Sequence, residues 1–296
     1  MMEYNKDSVS LMGAVSMGTG VMIGAGIFAL TGQLAELSGY LFPLTFLSAG
    51  VVAGFSAYTY VKMSNAYPSA GGIAMFLEKA YGKGTVTAVC ALLMYFSMVI
   101  NESLVARTFG TYTLQLFDAK DQEWLVPALG VFLLAIAFLV NIAGNKFIGT
   151  FSLVMAFVKI GGIGLFAAAG IWLSGFSLDS AAQTSGNTSL TGFVAGTALA
   201  ILAYKGFTTI TNSGSEIVNP HKNVGRAIVL TLGICVVVYF AVAMAVAGNL
   251  SVSEIVTARD YALAEAARPL LGKFGLWFTV ALAIVATVSG LIASVF

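Results

Sequence analysis

Apolar runs long enough to cross a bilayer follow one another along most of the 296 residues, and that leaves few folds open. A helix needs about 20 apolar residues to cross. By that rule the chain holds about eight spans, at 11–37, 42–67, 85–117, 124–143, 147–174, 192–213, 225–248 and 275–296. Backbone polar groups in hydrocarbon must be satisfied within the segment, so the runs are expected to be helices of an all-α integral membrane protein surrounded by lipid. Composition agrees, with 58% apolar and only 9% charged residues, against roughly 25% charged in soluble domains. The net charge of +1 gives no footing for nucleic acid. Cys90 and Cys235 fall inside spans and read as small buried apolar side chains rather than a disulfide or metal pair. No histidine is paired with a nucleophile, so the chain is not expected to be an enzyme, and neither metal nor cofactor is expected.

The polar stretch Met1–Ser10 precedes a run too long for a signal-peptide core, so the first run is a retained span. With the N-terminus on the cytoplasmic side, the inner segments carry Lys6, Lys62, Lys79, Lys83, Lys146, Lys222 and Arg226. The outer ones carry Lys120, Arg259, Arg268 and Lys273 among acidic residues, so the basic excess favours that orientation in a cell membrane. Residues 251–273 have the Ala, Leu and charge content of a short surface helix. The chain stops at Phe296 inside an apolar run, which is expected of a truncated sequence. His221 reads as solvated, and Gly82-Lys83-Gly84-Thr85 lacks the upstream glycine of a phosphate loop. Asn187-Thr188-Ser189 is a formal glycosylation sequon in an outer loop.

Ionisable residues inside spans are the strongest functional pointers in such a protein. Lys159 lies more than ten residues from either end of span five, too deep to reach the interface easily, and must face a partner or water. It reads as a fixed cation or a proton carrier, with a helix-packing ion pair as the plainer alternative. Lys205 lies in span six, where Gly206 and the polar run Thr208, Thr209, Thr211, Asn212 and Ser213 suggest an interruption. Glu102 and Arg107 lie in span three at a spacing that does not place them squarely on one face. Glu102 reads equally as cavity lining or structural pairing.

The first span contains Gly13, Gly18, Gly20, Gly24, Gly26 and Gly32. Two explanations fit: small residues such as Gly20 and Gly24 that let a neighbouring helix approach, or a helix broken near the bilayer centre whose freed backbone lines a cavity. Interruptions in spans one and six are five crossings apart, the pattern of an inverted repeat whose first helices are discontinuous. Half-helix ends then present amides to an anion and carbonyls to a cation. An α-amino acid carries both groups.

Gly24-Ala25-Gly26-Ile27-Phe28 resembles the first-helix motif of amino acid–polyamine–organocation permeases. Tyr204-Lys205-Gly206-Phe207 followed by Glu216-Ile217-Val218-Asn219-Pro220-His221-Lys222-Asn223 is similar to their sixth helix and next inner loop, and Tyr67-Pro68-Ser69-Ala70-Gly71-Gly72 to the turn after their second. The resemblance implies a LeuT-type five-plus-five inverted repeat with discontinuous helices 1 and 6, truncated here in helix 8. Residues 1–176 would form the first repeat and 177–296 three helices of the second. It also implies a substrate site at Met22, Ile23, Gly24, Ala25, Gly26 and Ile27 of span one and Leu202, Ala203, Tyr204, Lys205, Gly206 and Phe207 of span six. The amides of Ala25 and Gly26 would meet the substrate carboxylate, and carbonyls near Met22, Ile23, Leu202, Ala203 and Lys205 its ammonium. Tyr95, Met98, Val99 and Glu102 of span three would shape selectivity. Lys159 resembles the fifth-helix lysine of proton-coupled members, whose ammonium stands where sodium-coupled relatives hold the ion; its expected partner is a carbonyl near Gly24. Lys205 departs from the acidic or neutral residue frequent there, which leaves the side-chain class of the substrate open.

The reading is alternating-access transport of an amino acid, with protons as the coupled partner through Lys159. A sodium-coupled carrier or an obligate amino acid or polyamine exchanger is the alternative within transport, and a channel or non-transporting sensor the alternative outside it. No ring-forming filter segment supports a channel.

Overall fold

The computed structural model describes residues 8–117, 124–143, 145–175 and 189–295. In chain order the helices are α1 (Leu11–Ser38), α2 (Phe42–Ala66), α3 (Gly72–Tyr81), α4 (Thr85–Leu114), α5 (Leu125–Ala143) and α6 (Asn145–Ser174). They are followed by α7 (Leu190–Ala200), a 3-10 segment (Ile201–Phe207), α8 (Thr208–Asn212), α9 (Pro220–Asn249), α10 (Val252–Thr257), α11 (Ala262–Ala266) and α12 (Arg268–Val295). Among the described residues there is no strand, only an isolated parallel bridge between Val9 and Ile217. Lys6, residues 118–123 and the loop 176–188 with the Asn187 sequon lie outside the described residues, as do the side chains of Ala25 and Lys146.

Among the described residues seven stretches are long and apolar enough to cross a membrane, so the chain is a multi-pass membrane protein. The first, Gly26–Ala66, runs from α1 through a 3-10 turn at Gly39–Leu41 into α2, and so covers two of the expected spans. Local sequence explains where helices begin and end. Ser10 caps α1 by accepting from the Gly13 amide at 3.1 Å. Gly39 ends it at φ 58, a conformation that a side chain disfavours. Pro43 and Pro220 sit in the first turns of α2 and α9, where a missing amide is harmless. The expected surface helix at 251–273 is divided into α10, α11 and the first turn of α12, which is interrupted at Leu271 and Gly272. The apolar part of α12 therefore starts close to the expected residue 275.

Helix α1 is central, packed against α12, α9, the 3-10 segment, α7 and α6, while α9 also lies along α2 and α6. Gly24 and Gly290 bring α1 and α12 together. A Cβ on Gly290 would stand 2.9 Å from the Gly24 Cα, and one on Gly24 would stand 3.3 Å from the Gly290 Cα. Bare backbone contact of this kind is the usual means of close helix approach in membranes.

Candidate functional site

Both interruptions exist, and both are milder than gaps. Helix α1 is continuous except at Ile23, whose φ −81 and ψ 24 kink it near the middle. The sixth span is carried through by the tight turn of the 3-10 segment between α7 and α8. The two meet. A Cβ on Gly26 would stand 2.9 Å from the Ala203 Cα, and one on Gly206 would stand 2.7 Å from the Met22 amide nitrogen. Only glycine at these positions lets the two backbones come so close.

Tyr239 of α9, fully buried, joins the two interruptions. Its hydroxyl is hydrogen-bonded to the Met22 carbonyl and lies 3.0 Å from the Ala203 carbonyl. A phenol carries one proton, so it can satisfy one of these acceptors at a time. Tyr204 turns the other way and donates to the Phe46 carbonyl of α2 at 2.9 Å, and Phe207 packs edge-on against Tyr60 with centroids 5.2 Å apart. These contacts hold the 3-10 segment on α2.

Lys159 of α6 is 1% exposed and donates to the Gly20 carbonyl at 2.7 Å. The expected partner lay nearer Gly24; the bond falls one turn earlier. A Cβ at Gly20 would stand 3.9 Å from Nζ, in ordinary contact, so the bond does not itself require glycine there. Thr231, Cys235 and Tyr239 recur every four residues on α9, all fully buried on the side facing these groups. The Thr231 hydroxyl is 3.4 Å from the Val15 carbonyl.

A small pocket opens at the junction. Val21, Met22, Gly26 and Leu30 line it from α1, Leu202, Ala203 and Gly206 from the 3-10 segment, and Asn101, Leu104 and Val105 from α4. Of the residues expected at the site, Met22, Gly26, Leu202, Ala203 and Gly206 are thus brought together. Ile23 and Ile27 are fully buried outside the lining, and Gly24 faces Gly290. From α4 the expected Tyr95 and Val99 are 62% and 44% exposed and do not reach the pocket, and Met98 is half-buried outside it. The lining face of α4 is displaced by one residue, a rotation of about 100°. The missed residues Asn101, Leu104 and Val105 share the side of the helix that continues into buried Thr108 and Tyr112.

Glu102 and Lys205 flank the pocket. Lys205 donates to the Ser97 hydroxyl of α4, and Glu102 accepts from the Asn101 amide at 3.1 Å. Arg107 is turned away from Glu102 and pairs with Asp260 at 3.4 Å, beside a second ion pair of Arg259 with Glu36 at 3.0 Å. Arg107, Arg259 and Asp260 border a polar cavity past Leu104 together with Gln33, Thr108 and Thr111. Outside the spans, burial pushes the Glu216 carboxyl above the usual range, and hydrogen bonds from Ser251 hold that of Glu254 below it. His221 is exposed, as expected, yet its Nδ1 is 2.8 Å from the Asn65 carbonyl. Among the described residues no group of His, Cys, Asp and Glu could hold a metal ion.

Two kinked crossings thus meet at a small pocket inside a multi-pass helical bundle, and a lysine is bonded to the backbone of one of them. The sequence profile described as amino acid permease matches residues 9–296, and the chain belongs to that family. Its resemblance to amino acid–polyamine–organocation permeases therefore stands. It is 35% identical over 276 residues to an uncharacterized protein of Methanocaldococcus jannaschii, covering 93% of this chain and 62% of that one. It is 32% identical over 290 residues to the inner membrane transport protein YbaT of Escherichia coli, covering 97% and 66%. To the serine/threonine exchanger SteT of Bacillus subtilis it is 26% identical over 276 residues, covering 91% and 61%. The chain thus spans 61 to 66% of the length of these relatives, and the two with assigned names are a transport protein and an exchanger.

Proposed function

We propose that the chain is the substrate-binding part of a secondary amino acid transporter that works by alternating access and is coupled to protons through Lys159. The observation that carries this reading is the meeting of the two interruptions, with the Met22 and Ala203 carbonyls sharing one tyrosine proton. An incoming ammonium has three donors and can satisfy both carbonyls where the phenol cannot. The amides of Ala25 and Gly26, which follow the kink at Ile23, are the expected partners of the substrate carboxylate in this reading. The names of two relatives, a transport protein of an inner membrane and a serine/threonine exchanger, support an amino acid cargo and a cell-membrane location. The N-terminus is taken as cytoplasmic from the distribution of basic residues.

The five-crossing offset between the interruptions supports an inverted repeat, residues 1–176 forming one half and 177–296 the start of the other. In this reading Lys159 couples the proton to α1. Its ammonium anchors the Gly20 carbonyl, two residues from Met22, and deprotonation weakens that anchor. A sodium ion at the same carbonyls would be repelled by the ammonium, which disfavours the sodium-coupled alternative. The test is uptake of labelled amino acids into proteoliposomes containing the full-length protein to which this chain belongs. An inward proton gradient is expected to accelerate uptake and a sodium gradient to leave it unchanged; acceleration by sodium alone overturns the coupling. Single-channel currents without saturable uptake overturn transport altogether.

A further inference from the structure

We propose that the pocket takes a small amino acid whose side chain ends in a hydroxyl, and that the Asn101 amide reads that hydroxyl. The inference rests on the amino acid reading above and adds the substrate class. In that reading the ammonium and carboxylate are held by the backbones of α1 and the 3-10 segment, which form two walls of the pocket. The third wall is α4, so the ligand's side chain is directed there. It meets Asn101, Leu104 and Val105, which share one face of the helix.

Among the described residues Asn101 is the polar side chain of the lining; the other side chains there are apolar. Its amide is only partly used. Nδ2 donates to Glu102 Oε1 at 3.1 Å, and among the described residues the amide makes no other hydrogen bond. Because the nitrogen is the atom that meets the carboxyl oxygen, the other branch of the amide is its carbonyl oxygen, an acceptor still without a donor. A hydroxyl entering the pocket supplies that donor, and it can accept the second amide proton instead. An apolar side chain of the same shape strips water from the amide and returns nothing, which weakens binding. Size acts in the same direction. Leu104 borders both this pocket and the outer polar cavity, and with Leu30, Val105 and Leu202 it bounds the small space around Asn101. A side chain the size of serine or threonine reaches the amide, whereas a longer branched or aromatic one runs into these residues.

Threonine and valine have nearly the same shape and differ by a hydroxyl against a methyl, so their ratio isolates the contact. The experiment titrates L-threonine, L-valine, L-serine, L-alanine and L-leucine against the purified full-length protein to which this chain belongs. It reads the concentration that gives half-maximal thermal stabilisation. Threonine is expected to act at concentrations about tenfold below valine, and serine similarly below alanine, the effect of one hydrogen bond gained against one polar group left unpaired. Leucine should act more weakly than threonine. In Asn101→Leu, which keeps the bulk of the side chain and removes its amide, the threonine-to-valine ratio should fall to about one. The ranking on the native protein requires no variant, so the test stands should Asn101→Leu fail to fold. Equal or tighter action of valine or leucine than of threonine on the native protein overturns this inference while leaving the amino acid reading intact. A preference for threonine that survives in Asn101→Leu overturns the assignment to Asn101. Stabilisation by none of the five overturns the amino acid reading and this inference with it.

Discussion

Replacing Tyr239 by Phe removes one oxygen from the place where the two interruptions meet. The ring is fully buried and packed against Phe46 and Tyr204, with centroids 5.6 and 5.1 Å away, so the aromatic contacts survive and no cavity larger than a hydroxyl is made. What is lost is the donor for the Met22 and Ala203 carbonyls. Because the phenol has one proton, the loss amounts to one buried hydrogen bond plus the desolvation of an acceptor left unpaired, about 1–3 kcal/mol. For a chain of this size that corresponds to a fall of roughly 2–5 °C in melting temperature. The same substitution should favour ligand. In the native chain an ammonium must compete with the Tyr239 hydroxyl for the carbonyls, whereas in the variant both acceptors stand open. Scanning fluorimetry of purified protein, with and without saturating neutral amino acid, reads both effects. The expected result is a lower melting temperature without ligand and a larger ligand-induced rise than in the native chain. A variant that melts like the native protein, or one that gains less from ligand, refutes the argument that the hydroxyl stands in for the ligand's ammonium.

Lys159→Ala is expected to abolish the pH dependence of uptake while leaving substrate binding measurable; unchanged pH dependence would reduce Lys159 to a packing residue. Gly290→Val drives a side chain into the Gly24 backbone, 2.9 Å from where its Cβ would sit, and overpacking of that kind costs about 1–3 kcal/mol, read as a lower melting temperature. The Ser251–Glu254 capping box predicts a pH effect at the start of α10. Glu254 has its carboxyl held below the usual range, so its stabilisation is present above the unfolded-state pKa and is lost as pH falls through the folded one. Amide protection factors of residues 251–257 should therefore fall between about pH 7 and about pH 3, and Ser251→Ala, at about 0.5–2 kcal/mol, should remove the difference.

The crossings were legible because a bilayer demands about 20 apolar residues in succession, and few local interactions can hide that. Lys159 was legible for a similar reason, since an ammonium deep in an apolar run has to be explained by a partner. Its partner was misplaced by one turn because the choice between the Gly20 and Gly24 carbonyls depends on how α6 lies along α1, which no local pattern encodes. The glycines of α1 divide between the two explanations offered for them. Gly24 packs against Gly290 as a small-residue contact, while Gly26 lets the Ala203 backbone reach the kink. The α4 face was read one residue out of register, because a helix apolar nearly all round has no pattern to separate the side facing the pocket from the side facing outward. Tyr239 was invisible. A tyrosine in a long apolar helix is unremarkable until the carbonyls of Met22 and Ala203, 217 and 36 residues away in sequence, are seen beside it.

These contacts share a feature that bears on mechanism. A membrane helix ordinarily satisfies its carbonyls with its own amides, yet four carbonyls along α1 also receive side chains from other helices. Thr231 reaches Val15, Lys159 reaches Gly20, Tyr239 reaches Met22, and Tyr112 reaches Phe28 at 3.3 Å. The donors come from α9, α6 and α4, so the position of α1 is set by three neighbours at once. Threonine and tyrosine hydroxyls keep their protons near neutral pH, whereas an amine can carry a charge or lose it. On the proposed reading, proton and substrate therefore act on the same short segment, the proton through Gly20 and the substrate through Met22. Only Val21 and the kink at Ile23 separate or adjoin these points. Coupling then requires no long pathway through the protein, because a change in the hold on one carbonyl is felt at the other within a single helical turn.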